Sequence, residues 1–180
     1  MNSSLQLATP VGPVILTASE SAIVGLRFGK EIPADSKPLS EEEATPLLRQ
    51  AAKELREYFS GHRQCFSLPL APRGSAFQEK VWRALRTIPY GQTRTYKQIA
   101  EQIGHNLAFR AVGMANNRNP IGILIPCHRV IGYDGKMTGY AAGIGIKEQL
   151  LALEQHHAAR SESAEGRAAT SVIPADGSNS

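Results

Sequence analysis

The chain has 180 residues, of which 42% are hydrophobic and 20% charged, and this composition is typical of a globular protein. The sequence contains no run of 18 apolar residues, and no basic segment followed by an apolar one near its start. These absences argue against a membrane protein and a secreted protein. We therefore expect a soluble cytoplasmic protein with one domain or two small ones.

Positive charge is concentrated in the middle of the chain. Residues 1–72 contain 7 Lys and Arg against 8 Asp and Glu, whereas residues 73–136 contain 10 against 3. Such a surplus is expected on a surface that binds a polyanion, and a solvated basic face would give the same count. Charge alone leaves both interpretations open.

The first third of the chain is predicted to form a sheet and one helix. Residues 4–29 contain β-branched runs separated by Pro- and Gly-containing turns, which indicates an antiparallel meander. A polar loop is expected over residues 30–40. Ser40 and Glu43 then have the spacing of a capping box, and apolar residues recur at helical spacing as far as Phe59. A further strand is expected over residues 64–70.

The second part of the chain is predicted to consist mainly of short helices. A Pro- and Gly-containing linker over residues 70–74 precedes it. Capping-box patterns beginning at Ser75 and Thr95 indicate two helices, and a third is expected over about 107–116. Two helices joined by a short turn form a helix-turn-helix, and this one lies inside the basic window. Together, helix pattern and charge favour DNA binding.

The end of the chain divides into a helix and a segment without apolar periodicity. A last helix is predicted over about 146–156, and residues 158–180 are expected to be disordered. The predicted organisation is an α/β domain over 1–71, a DNA-binding and active-site domain over 72–157 and the tail. The predicted fold class is α/β (α+β).

Cys127 carries the clearest chemical signal in the sequence. It stands in an apolar run, where a lone cysteine is usually an inert packing residue. Here His128 and Arg129 follow it directly, and burying an imidazole and a guanidinium is costly unless they are paired. A nearby histidine or cation also lowers the pKa of a thiol and activates it as a nucleophile. Cys65 has no such neighbours, and no histidine or cysteine spacing indicates a metal site.

The residues 125–131, with the sequence Ile-Pro-Cys-His-Arg-Val-Ile, resemble the active-site signature of the O6-alkylguanine-DNA alkyltransferases. The likeness includes Arg110-Ala-Val-Gly and Asn119-Pro upstream, covers at least residues 76–155 and extends more weakly over the N-terminal strands. It implies a ribonuclease-H-like sheet-plus-helix domain followed by a winged helix-turn-helix-like domain. It also implies an irreversible, stoichiometric transfer of the alkyl group from O6-alkylguanine, flipped out of duplex DNA, to Cys127. No cofactor or metal is expected, and the free protein is expected to be a monomer.

The resemblance also assigns roles to individual residues. Cys127 would accept the alkyl group, His128 would act as its base through a bridging water, and Glu154 would orient His128. Asn119 resembles the hinge between the recognition helix and the active-site strand, and is grouped with these catalytic residues.

A second set of residues is expected to contact DNA or the target base. Arg110 resembles the family's arginine finger, which enters the minor groove and fills the gap left by the flipped base. Tyr96 resembles the tyrosine that rotates the phosphate of the target nucleotide. Tyr140 would line the base pocket. The full set is Tyr96, Arg110, Arg129, Val130, Tyr140 and Ala141. The Asn116-Asn117-Arg118 segment departs from the family pattern.

Two other classes of function are compatible with parts of the pattern. A non-catalytic DNA-binding protein, either a regulator or a lesion sensor, would explain the helix-turn-helix but not Cys127. A cysteine-dependent hydrolase of small substrates would explain Cys127, His128 and Glu154 but not the basic helices. The sequence leaves open the preferred size of the alkyl group, activity on O4-alkylthymine and cooperative assembly on DNA.

Overall fold

The computed structural model describes residues 1–135, 140 and 142–177, with residues 162–177 as backbone only. A four-stranded sheet forms the first layer, in the order β3-β2-β1-β4. Its strands are β1 (Asn2–Leu7), β2 (Val14–Ala18), β3 (Ile23–Phe28) and β4 (Ser36–Leu39). The first three form the predicted antiparallel meander, and β4 pairs in parallel with β1.

Two details of this region differ from the sequence prediction. β4 lies within the segment expected to be a loop, because pairing with β1 supplies partners for its backbone. Its Ser36 hydroxyl also lies 2.7 Å from that of Ser4, a contact that polarity alone does not reveal. The strand expected over residues 64–70 is reduced to one isolated bridge between Leu70 and Ile23.

Helix α1 (Pro46–Phe59) covers the sheet with its buried face. It begins later than the sequence suggests. Thr45 caps it by accepting a hydrogen bond from Leu48 N, and proline occupies the first turn, where a missing N–H costs nothing. The Ser40 and Glu43 pair does form its reciprocal hydrogen bonds, but they close a turn ahead of the helix.

Within its described residues, the second part of the chain contains four α-helices and a small parallel pair of strands. These are α2 (Ala76–Leu85), β5 (Arg94–Thr95), α3 (Tyr96–Gln102), α4 (Phe109–Asn117), β6 (Val130–Ile131) and α5 (Ile144–Gly177). Both predicted capping boxes, at Ser75 and Thr95, are present with their two hydrogen bonds. The architecture confirms the predicted class, a mixed α/β protein with a sheet region followed by a helical region.

The two regions share one hydrophobic core and are joined by backbone hydrogen bonds. Core side chains come from the sheet, from α1 and from the helices of the second region, including Leu16, Leu55 and Trp82. Leu26 N donates to Pro120 O at 3.0 Å, and Gly122 N donates to Leu26 O at 3.2 Å. The segment that leads to Cys127 is therefore anchored on β3. The domain boundaries at residues 71 and 157 remain a prediction.

Helix α5 continues well past the predicted end near residue 156. It runs to Gly177, through most of the segment in which the sequence predicts disorder. The prediction relied on the lack of an apolar stripe, which argues against a packed helix rather than against a helix. Alanine, glutamate and arginine in this segment all have high helix propensity. Within the described part of the chain, no helix is both long and apolar enough to cross a membrane.

Candidate active site

Cys127 lies in the wall of a cavity of about 260 Å³ between β3 and the end of α4. The residues around this cavity include Phe28, Asn116, Asn119 and Tyr140. The Cys127 residue is 5% exposed, and its sulfur lies 3.7 Å from the Tyr140 hydroxyl. The thiol is therefore buried in the protein but borders on space that a small group can enter.

A single 3-10 turn, Cys127–Arg129, carries the cysteine. Cys127 N donates to Ile125 O at 2.8 Å, and Arg129 N donates to Pro126 O at 3.0 Å. The sequence presents this run as an apolar strand, in which Cys127 and His128 would point to opposite faces. The turn removes that restriction, because the backbone bends at the cysteine.

Asn119 shapes the loop that leads to this turn. Its Nδ2 donates to Ile125 O at 2.8 Å, and its Oδ1 accepts from Ile121 N at 3.0 Å. Within this loop Ile123 has a φ of 66°, a left-handed conformation that is rare for a β-branched residue. Such strain persists only where surrounding contacts enforce it. Asn119 thus holds the loop in shape, in keeping with its predicted place between α4 and the active-site segment.

His128, the residue that follows Cys127 in the turn, forms a fully buried pair with Glu154. His128 Nε2 lies 2.5 Å from Glu154 Oε2, and both side chains are completely inaccessible to solvent. His128 Nδ1 has no hydrogen-bond partner among the residues that the structure describes. Since Nε2 is engaged by the carboxylate, Nδ1 is the ring nitrogen left to exchange a proton.

Glu154 receives further hydrogen bonds from two other residues. The Tyr58 hydroxyl donates to Oε2 at 2.6 Å, and Arg129 donates through Nε to Oε1 at 2.7 Å and through its second terminal nitrogen to Oε2 at 3.1 Å. Burial alone would raise the pKa of Glu154, but His128 and Arg129 outweigh it and hold the pKa at about 2. The carboxylate is therefore ionised throughout the neutral range.

Arg129 lies inside the protein, and this corrects its predicted place among the DNA-contacting residues. It is 6% exposed, donates to Ile88 O at 2.8 Å and lies over the Tyr90 ring at 5.6 Å. With its guanidinium bound to Glu154, it is unavailable to DNA. Its role in this geometry is to compensate the charge of the carboxylate.

Burial raises the pKa of the Cys127 thiol, while Asn119, Tyr140 and Lys147 oppose that rise. The net direction is upward, so the thiol is neutral at pH 7 in this state. The thiol therefore has to lose its proton during the reaction, because it is not ionised beforehand.

Lys147, on the first turns of α5, is a site residue that the sequence reasoning missed. It is fully buried, and its Nζ has no hydrogen-bond partner within the described part of the chain. The ammonium lies 5.8 Å from the centre of the Tyr96 ring and 5.7 Å from that of Tyr140. Burial lowers the pKa of Lys147, and the Cys127 thiol opposes this shift. One signal was available: Lys147 shares a helical face with Leu150 and Glu154.

The other predicted contact residues lie at different depths. Tyr96 begins α3, is partly buried and packs beside Lys147 and Gly113. Val130 is buried, and its backbone pairs with Arg94. Arg110 is exposed on α4, away from the lining of the Cys127 cavity. Ala141 lies outside the described residues. Among the described residues, no cluster of His, Cys, Asp and Glu could hold a metal ion.

Comparisons with known proteins agree with this geometry. The family model of the 6-O-methylguanine DNA methyltransferase DNA binding domain matches residues 76–156, and that of the ribonuclease-like domain of the same family matches residues 6–72. The chain belongs to this family of methylated-DNA–protein-cysteine methyltransferases.

Similar proteins are matched over most of their length. The methylated-DNA–protein-cysteine methyltransferase of Methanosarcina barkeri is 53% identical over 84% of this chain and 96% of its own. The crystal structure of the Mycobacterium tuberculosis O6-methylguanine methyltransferase is 42% identical, with a TM-score of 0.80, and the match covers 87% of this chain and 94% of that one. A structure of the M. tuberculosis protein in complex with DNA is likewise 42% identical, with a TM-score of 0.79. That match covers 86% of this chain and 94% of the other.

Proposed function

We propose that this protein repairs duplex DNA by moving the alkyl group from O6 of a flipped-out guanine to Cys127, once per molecule. The observation that carries the proposal is the position of Cys127. Its thiol borders a cavity, and the next residue of the same 3-10 turn is His128, which is paired with Glu154 in the protein interior. The relatives' names and the structure of one of them with DNA support the same reaction class.

Base flipping follows from the burial of the thiol. A 5% exposed cysteine cannot reach a base that stays stacked in a duplex, so the nucleotide must leave the helix at a cost of a few kcal/mol. The exposed Arg110 on α4 is available to fill the gap and offset part of that cost. Tyr96, at the start of α3, is suited to turn the target's phosphate.

The proposed transfer is an in-line displacement at the alkyl carbon. A bond forms between Cys127 Sγ and that carbon while the bond from the carbon to O6 breaks. The thiol proton passes through a bridging water to His128 Nδ1, and the ionised Glu154 stabilises the resulting imidazolium. A proton donated by Tyr96 to the base lets guanine leave as a neutral molecule. The proton taken up by His128 then returns through water to the Tyr96 phenolate, so both side chains regain their starting charge. Lys147 stabilises the negative charge that develops on sulfur.

The product explains why each molecule would act only once. A thioether at Cys127 offers water no good leaving group, so the acceptor is not regenerated. The reaction needs no cofactor or metal. We expect the protein to work as a monomer in the cytoplasm with access to DNA. A DNA-binding regulator would have no use for the buried thiol relay, and a small-molecule hydrolase would have no use for the exposed arginine of α4.

A labelled-methyl experiment tests the proposal. The protein is incubated with duplex DNA that carries one radiolabelled O6-methylguanine, and label on protein is measured against time. We expect transfer to stop at one methyl group per protein and to be abolished in Cys127→Ser, while Cys65→Ser, which changes the exposed cysteine, transfers normally. Transfer beyond one equivalent, or label on the Cys127→Ser variant, would contradict the proposal.

A further inference from the structure

The part of α5 that follows Glu154 packs on two glycines, one from each region of the molecule. Gly61, in the turn after α1, has a φ of 83°, and a Cβ there would overlap the ring of His157. Gly91, between α2 and β5, has a φ of 78°. A Cβ there would lie 2.6 Å from the Cβ of Ala158 and 3.6 Å from the carbonyl oxygen of Glu154. Glycine permits both the left-handed backbone and this close approach, so the helix packs directly on backbone at both points.

The contact with Gly61 joins the helix that carries Glu154 to the sheet region. His157 lies three residues beyond Glu154 on α5, which is less than one helical turn. A second link follows one turn later, where Gln64 Nε2 donates to Ser161 Oγ at 3.1 Å. Holding His157 in place therefore also fixes the position from which the Glu154 carboxylate reaches into the interior.

The groups that act on the charge of His157 are bases. They lie on both sides of its ring: His62 in the turn after α1, and His156 and Arg160 on α5. Burial lowers the pKa of His157 below its ordinary value of 6.5, and these three neighbours lower it further. Glu57, on the last turn of α1, is already paired with Arg63 at 3.3 Å. Because the pKa is lowered in the folded protein, the packed helix is stabilised above pH 6.5 and loses that stabilisation as the pH falls below 6.5.

We propose that His157 is a positioning residue for the transfer reaction: its neutral ring, packed on Gly61, anchors α5 to the sheet region and holds Glu154 in place, and protonation of the ring releases this anchor. The anchor is independent of the proposed function, whereas its effect on transfer rests on that function. The hydrogen-bond network around Glu154 is then complete at neutral pH and loosened in acid.

His157→Phe tests the anchor, because it keeps a flat ring on Gly61 and removes the group that takes up the proton. Amide hydrogen exchange over residues 150–161 is measured for wild type and variant at pH 7.5 and at pH 5.5, and the two proteins are compared at the same pH. We expect equal exchange at pH 7.5. At pH 5.5 the wild-type segment should exchange about tenfold faster than the variant, the effect of one pH unit on a single titrating group.

Single-turnover transfer from O6-methylguanine in duplex DNA should follow the same pattern. The rate of His157→Phe relative to wild type should be close to one at pH 7.5 and several-fold higher at pH 5.5. Using the ratio at each pH removes the pH dependence that both proteins share through Cys127 and His128.

Gly61→Ala tests the contact without changing a charge. The added methyl group meets the His157 ring, so faster exchange of α5 and slower transfer should appear already at pH 7.5. Gly12→Ala is the matched control, since Gly12 also has a positive φ, of 103°, but nothing lies within 4 Å of its Cβ position. It should carry a similar backbone penalty and leave both readouts unchanged.

The outcomes separate the anchor from the proposed function. Equal sensitivity to acid in wild type and His157→Phe, or equal effects of the two glycine variants, would overturn the inference. Exchange of α5 that responds while transfer does not would also overturn it, because Glu154 would then be held by other contacts. A wild type that transfers no methyl group at pH 7.5 would instead overturn the proposed function, and the exchange measurements would still decide whether His157 anchors α5.

Discussion

The two sides of Cys127 differ in how completely their polar groups are paired. On the side of Glu154, one carboxylate accepts from Tyr58 and Arg129 and contacts His128, all within 3.1 Å. On the other side, Asn116 Oδ1 and Lys147 Nζ are buried without a hydrogen-bond partner in the described residues. Asn116 is a lining residue of the cavity, and Lys147 lies over the rings of Tyr96 and Tyr140. A saturated network is rigid, whereas buried polar groups without partners still have unused hydrogen-bonding capacity. The difference separates a rigid network around Glu154 from a set of groups whose pairing can still change.

The largest effect is expected from Glu154→Gln, which breaks the saturated side. The Arg129 guanidinium would stay buried without a countercharge, which typically costs about 3 kcal/mol or more of stability. We also expect transfer to slow about a hundredfold, because the imidazolium loses its stabilising charge. Urea unfolding and single-turnover rates measure the two effects.

A second buried carboxylate offers a matched control for that change. Glu54 on α1 is 2% exposed, accepts from Ser67 N at 2.8 Å and has Arg63 within 3.4 Å, but it is remote from Cys127. Glu54→Gln should lower stability and leave the transfer rate of the folded protein unchanged. Equal slowing by both variants would mean that Glu154 acts only through stability.

Lys147→Met tests the unpaired side of the comparison. Removing a buried cation that lacks a hydrogen-bond partner should leave the protein as stable as before or more so. The thiol would lose a neighbouring positive charge, so its pKa would rise further, and transfer should slow about tenfold with its pH profile displaced upward. Lys97→Met, at an exposed position on α3, should weaken DNA binding without displacing that profile. An unshifted profile in Lys147→Met would argue against any effect of Lys147 on the thiol.

The pH dependence of stability tests the same carboxylate without a new substitution. The folded-state pKa of Glu154 is about 2, against an ordinary value of 4.5, so the carboxylate stabilises the fold above pH 4.5. That contribution, about 3 kcal/mol from the size of the shift, is lost as the pH falls from 4.5 toward 2. The stability gap between wild type and Glu154→Gln should therefore narrow across this window in chemical unfolding. A stability difference that stays constant from pH 4.5 to pH 2 would show that it does not come from the ionised carboxylate of Glu154.

The sequence predicted the elements whose signals are local. The strands of the meander and the capping boxes at Ser75 and Thr95 depend on neighbouring residues, and all are present. β4 was missed because its pairing with β1 comes from a distant part of the chain. The ends of α5 and α1 were misplaced because apolar spacing reports packing rather than helix length.

The candidate site shows the same division. Cys127 and His128 are adjacent in sequence, and their residue types were enough to identify them as candidate site residues. Glu154 was identified only through the family resemblance. Tyr58 lies 96 residues from Glu154 along the chain, so nothing local could connect them. Lys147 and Asn116 were missed because both are buried polar residues, and residue type does not reveal burial. Arg129 was grouped with the DNA contacts because its buried partner, Glu154, lies 25 residues away along the chain.

The hydrogen bond from Tyr58 to Glu154 has a consequence for how the fold can be divided. Tyr58 belongs to α1, the helix that covers the sheet. Its hydroxyl nevertheless donates a hydrogen bond to Glu154, which lies on α5 in the helical half. A polypeptide cut in the 70–74 segment and stripped of its first half would leave one acceptor position of that carboxylate open to water. The helical half therefore depends on the sheet half for one of the hydrogen bonds that Glu154 accepts in the interior.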